Sequence, residues 1–151
     1  MHVAEHLAVL HRAELGLGAA LVRAGRAHPG DPDLAHLCAR AARECDDHVR
    51  SLDAYARHAD PAAAEEVEHT GPAPFGGPRT GGLGLLRDVL ELYLMAADCA
   101  ICWTVADQAA HATRDDGLAA LVTRCHAETA GQVARLRERV RAAAARALAA
   151  P

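Results

Sequence analysis

Apolar residues recur along this chain at steps of three and four in four long runs, the period of helices that each bury one face. The first run, Val3, Leu7, Leu10, Leu17 and Leu21, predicts a helix over about residues 2–27. The segment His28-Pro29-Gly30-Asp31-Pro32 ends it, because glycine and two prolines do not continue a helix, and Asp31 is placed to cap a second helix over about 32–58. That helix carries the stripe Leu34, Leu37, Ala41, Glu44, His48, Leu52, Tyr55. A third, over about 83–112, is apolar nearly all round (Leu85, Leu86, Val89, Leu90, Leu92, Leu94, Met95, Ile101, Val105), which predicts the most buried position in the fold. The turn Thr113-Arg114-Asp115-Asp116-Gly117 then leads into a fourth helix over about 116–148, with the stripe Leu118, Leu121, Cys125, Glu128, Gln132, Leu136, Val140. Between the second and third helices, over about 59–82, clustered prolines and glycines break every period, in a connection long enough to run along a bundle. The pattern predicts an all-α, antiparallel four-helix bundle: two helical hairpins joined by a long Pro/Gly-rich crossover, in one domain spanning 1–151.

Each stripe is interrupted by a carboxylate. Glu14 stands on the first, Glu44 with His48 on the second, Asp98 at the centre of the third helix and Glu128 with Gln132 on the fourth. Glutamate is almost never fully buried without a partner, so these positions are where chemistry is expected. They obey one offset of 84 residues: Glu14 maps to Asp98, Glu44 to Glu128 and His48 to Gln132, while Leu10, Leu17 and Leu21 map to Leu94, Ile101 and Val105. The offset predicts a pseudo-twofold relation between the hairpins. Antiparallel register within each hairpin sets Glu14 level with Glu44, and Asp98 level with Glu128. Four carboxylates in a core repel one another, whereas two divalent cations offset their charge, and carboxylate with imidazole is a ligand set for iron or manganese.

These residues resemble the ferritin-like di-metal carboxylate family, in which a Glu on one helix and a Glu-x-x-His pair on the next are repeated in a second hairpin across a long crossover. The resemblance covers nearly the whole chain. It implies that Glu14, Glu44, Asp98 and Glu128 are metal ligands with His48 as the imidazole, holding two iron or manganese ions per chain. Here Glu44 and His48 are four apart rather than three, Gln132 stands where a second His is usual, and Asp98 where a Glu is usual; His11, one turn from Glu14, is the candidate to complete the set. The family's functions are iron oxidation and storage, or oxygen and peroxide chemistry as in di-iron oxidases, and the residues do not choose between them. Tyr55 and Trp103 are the candidate electron donors near such a centre.

Composition narrows the partners. With a net charge of −4, nothing global favours nucleic acid, and the run Arg135, Arg137, Arg139, Arg141 reads as a solvated helix face. There is no secretory leader pattern and no uninterrupted apolar stretch of about 20 residues, so a cytoplasmic protein without a membrane partner is expected. Five cysteines, an odd count, predict reduced thiols rather than a disulfide framework. Cys99, Cys102 and Cys125 supply a competing reading, a thiol-lined bundle that binds copper(I). A third is a metal-free helical interaction module; metal ions and a second copy in a homo-oligomer complete the expected partners.

Overall fold

A computed structural model describes residues 2–59 and 79–149. Four helices form: α1 (His2–Ala27), α2 (Pro32–Ala59), α3 (Gly81–Thr113) and α4 (Asp116–Ala149). Their ends follow local chemistry. Asp31 Oδ1 accepts from the Leu34 amide at 3.0 Å and Asp115 Oδ1 from the Leu118 amide at 2.9 Å, so each aspartate caps the helix that follows. Arg114 takes a left-handed conformation (φ 53°) and its amide closes on the last carbonyls of α3, which lets α4 start two residues later.

Helices α1 and α2 pack as one hairpin, α3 and α4 as the other, and the hairpins meet through α1 against α3 and α2 against α4. His6 Nε2 meets the Cys102 carbonyl at one end and His28 Nε2 meets Asp88 at the other, so α1 and α3 run antiparallel. Helices α2 and α3 are therefore diagonal and point the same way, and Ala59 and Gly81 lie at opposite ends of the bundle. The Pro/Gly-rich segment 60–78, expected as the crossover, lies outside the described residues. Tyr55 ties the end of α2 to the α3–α4 turn by donating to Asp115 Oδ2 at 2.6 Å. At the other end buried Asp88 accepts from His28 Nε2 (2.7 Å), the Arg79 amide (2.9 Å) and the Arg79 guanidinium (3.1 Å), fixing the start of α3 to the α1–α2 turn.

Two apolar clusters fill the interior. One, towards the α1–α2 turn, holds Leu17, Leu21, Leu34, Val89, Leu92 and Leu136. The other holds Leu10, Leu52, Trp103, Leu118 and Val122. Between them lies a polar layer with Glu14, His48, Thr129 and Gln132, all fully buried.

Helix α3 departs from the sequence reading in which face it turns inward. Its core face is Val89, Leu92, Ala96, Cys99, Trp103, Ala106 and Ala110, while Leu90, Leu94, Ile101 and Val105 point outward. Hydrophobicity has no power to choose a face on a helix apolar all round. Packing chooses it: small side chains let the neighbouring helices approach and leave the space that Trp103, the largest buried side chain, fills. Asp98 goes with the outward face and is exposed, so it leaves the core layer in which it was expected. By length and composition α3 would also suffice to cross a membrane, and a third of that window is buried in the bundle.

Candidate functional site

Glu14 is the centre of the polar layer. It sits on the inward stripe of α1 between Leu10 and Leu17 and has no solvent exposure. Its Oε1 accepts from Trp103 Nε1 at 2.7 Å and lies 3.1 Å from His48 Nδ1. The other imidazole nitrogen, Nε2, meets Glu128 Oε2 at 2.8 Å, and Trp103 packs edge-on to the imidazole with centroids 5.6 Å apart. Burial opposes protonation of His48, but hydrogen bonds and charge from Glu14 and then Glu128 outweigh it and hold its pKa above the ordinary value. A protonated His48 between two carboxylates is the arrangement that balances charge inside the bundle. Glu128 is 36% exposed and 3.9 Å from Arg124, so this chain of contacts runs from the core to the surface.

Glu44 and Gln132 form the adjoining turn. Gln132 Nε2 donates to Glu44 Oε2 at 2.9 Å, Arg40 Nε donates to Oε1 at 3.0 Å, and the Arg135 guanidinium lies 3.3 Å from both oxygens. Glu44 is therefore neutralised by cations of its own. The register explains its displacement: Gly18 faces Cys45 and Gly25 faces Cys38 across the hairpin, which sets Glu14 level with His48 and leaves Glu44 a turn towards the connection. The expected pairing of Glu14 with Glu44 at one level is thus replaced by Glu14 with His48. His11 is buried but turned to Asp53, 2.9 Å away, on the α1–α2 side. Of the seven residues singled out from the sequence, Glu14, His48 and Glu128 meet, Gln132 pairs with Glu44 in the adjoining turn, and His11 and Asp98 stand apart.

Cys45 and Thr129 in this layer escaped the sequence reading, while Trp103 and Cys99 were named there in other roles, as an electron donor and as a copper(I) thiol. Trp103 donates to Glu14 as described. Cys45 lies close enough to Glu14 to feel its charge, and Gln132 Nε2 is 4.0 Å from its sulfur; Cys99 also lies close enough to feel the Glu14 charge and to act on Cys45. Burial, then the Glu14 charge, pushes both thiols far up, so they are neutral at ordinary pH. The signal for Cys45 was present in the spacing Cys45-x-x-His48, which puts sulfur and imidazole on one helix face. Of the other thiols named, Cys102 is half-buried and Cys125 packs in the cluster with Leu118 and Val122, away from Cys99.

Two buried acceptors in the layer, Glu14 Oε2 and Gln132 Oε1, have no hydrogen-bond partner. Among the described residues no three His, Cys, Asp or Glu side chains stand in the mutual geometry of a preformed metal site. The imidazole accounts for this, since Glu14 and Glu128 occupy its two opposite nitrogens. No family model, curated protein or solved structure gives a significant match to the chain.

Proposed function

We propose that this bundle binds one transition-metal ion per chain in its polar layer, as a ferritin-like protein with a reduced centre. The observation that carries the reading is the pair of buried, unpartnered oxygens, Glu14 Oε2 and Gln132 Oε1, beside His48 and Cys45. Unpaired buried acceptors cost stability, and a cation is a partner that a carboxylate oxygen and an amide oxygen both take. Two ions do not fit: Asp98 is outside, Glu44 is saturated by arginines, and Glu14 and Glu128 alone leave two divalent cations undercompensated.

For one ion, Glu14, the Gln132 amide oxygen and His48 Nδ1 form a hard-to-borderline set suited to iron(II) or manganese(II). Such an ion supplies Lewis acidity and, for iron, a redox couple. The chain's own contributions are defined by its contacts. Leu10, Leu17 and Trp103 keep water out, Trp103 fixes the Glu14 carboxylate through Oε1 and leaves Oε2 free, and Glu128 retains the Nε2 proton of His48 so that Nδ1 is the nitrogen released for ligation. Copper(I) is a second reading, favoured by Cys45 and Cys99 beside Glu14.

Anaerobic equilibrium dialysis against Fe(II) or Mn(II) tests the reading. Wild type and Asp98→Ala should each retain about one equivalent, and the Glu14→Gln, His48→Gln double variant under about a tenth. No uptake by folded wild type, or equal uptake by the double variant, removes the proposal. Two equivalents, reduced by Asp98→Ala, would restore the four-carboxylate centre instead.

A further inference from the structure

We propose that the outward face of α3 is a self-association surface on which two copies of this chain pair antiparallel about a twofold axis. The inference stands apart from the metal reading and rests on the side of α3 opposite Trp103. Leu83, Leu90, Leu94, Ile101 and Val105 lie there in one strip and are 43–65% exposed. Helices in a soluble bundle normally turn polar residues outward, so a strip of this kind marks a surface that something covers.

Its spacing selects another helix as the cover. Leu83 to Leu90 and Leu94 to Ile101 are steps of seven, and Leu90 to Leu94 is a step of four, which together form a heptad seam. By its exposed fractions the strip presents on the order of 450 Å² of apolar surface, within the few hundred Å² that mark interaction patches. Two strips face to face remove on the order of 900 Å² before their rims are counted, close to the 1,000 Å² or so that a specific interface requires.

Charge selects a second copy and its direction. Arg87 and Asp98 are exposed on the same edge of the strip, and neither forms an ion pair among the described residues. A twofold axis that reverses one helix against the other brings like edges together. With Leu90 opposite the partner's Leu94, Leu83 meets the partner's Ile101, and Arg87 falls within one residue of the partner's Asp98. The same contacts recur across the axis, giving two apolar pairs of each kind and two ion pairs. A parallel pairing would bring unlike edges together and leave Arg87 and the partner's Asp98 eleven residues apart in level, with neither charge matched. A lipid surface would leave Asp98 without a cation in the apolar phase.

Sedimentation equilibrium of the full chain tests this, with circular dichroism to confirm that each variant is folded. A concentration-dependent dimer is expected. Leu94→Glu should raise its dissociation constant at least a hundredfold. Arg87→Glu should raise it about tenfold, and combining it with Asp98→Arg should return it to within about threefold of wild type, since opposite charges across the seam set pairing. A monomer at 200 µM overturns the proposal, as does a dimer indifferent to Leu94→Glu or a charge swap that fails to rescue. Binding of monomeric chain to vesicles of 3:1 phosphatidylcholine and phosphatidylglycerol, abolished by Leu94→Glu, overturns it in favour of a membrane.

Discussion

Substituting Gln for His48 should destabilise the bundle severely, and adding Glu14→Gln should recover part of the loss. In the wild type the Glu14 carboxylate has no exposure and meets two donors, Trp103 at 2.7 Å and His48 at 3.1 Å. Only His48 brings charge. Without it a carboxylate stays buried on one neutral donor, and deleting one member of a buried pair costs about 3–5 kcal/mol. Glu128 adds little to that figure, because at 36% exposure it can turn to water. Glu14→Gln alone should cost less, about 1.5–3 kcal/mol, since an amide oxygen still accepts from Trp103 and His48 keeps Glu128. The double variant buries no charge in this layer, so it should be more stable than His48→Gln by roughly 1–3 kcal/mol. Guanidinium unfolding followed at 222 nm, at pH 7 with chelator present, measures all four proteins. For a chain of this length the His48→Gln loss corresponds to a drop in Tm on the order of 10 °C. A His48→Gln cost below about 1 kcal/mol, or a double variant at the sum of the singles, would refute the claim that His48 neutralises Glu14.

The same imidazole sets a pH dependence. Its folded pKa is raised, so its stabilising contribution is complete below the unfolded value of about 6.5 and is lost as pH climbs through the folded value. The stability difference between wild type and His48→Gln should therefore shrink from about pH 6.5 upward in urea melts; a difference that grows with pH would contradict the assignment. Burial pushes the Cys38 and Cys125 thiols up to about 12 and raises Cys45, Cys99 and Cys102 as well, but Cys102 is the one thiol that is only half-buried and so reachable by reagent. An aromatic disulfide reagent at pH 8 should find a single fast thiol, absent in Cys102→Ser, and all five only after denaturation. Asp88→Ala strips His28 and Arg79 of their shared acceptor and should cost about 3 kcal/mol, with amide exchange accelerating first at the start of α3; uniform loss of protection along the chain would argue against a local clasp.

The helices were legible because their signals are local. Period, the Asp31-Pro32 cap and the Arg114–Asp115 stop act within a few residues, and helix ends fell within one or two residues of expectation. Glu14, His48 and Glu128 were legible for a related reason: a charge on an apolar stripe announces a partner. Which partners meet was not. The inward face of α3 depends on where Trp103 fits, and the offset of 84 residues, chosen to align Glu14 with Asp98, misses by one position the Cys99 that faces the layer. One residue on a helix is about 100° of rotation, enough to move Asp98 from core to solvent. Glu44 was misplaced by register, since sequence carries no measure of how far one helix slides along another.

Trp103 is the only tryptophan, donates to Glu14 and stands edge-on to His48, so its fluorescence reports directly on the proposed centre. In anaerobic titration with Mn(II) or Fe(II), the account predicts a fluorescence change that saturates at about one equivalent in wild type and Asp98→Ala and vanishes in the Glu14→Gln, His48→Gln double variant. An unresponsive wild-type signal, or a response that survives the double substitution, would contradict a metal held at Glu14.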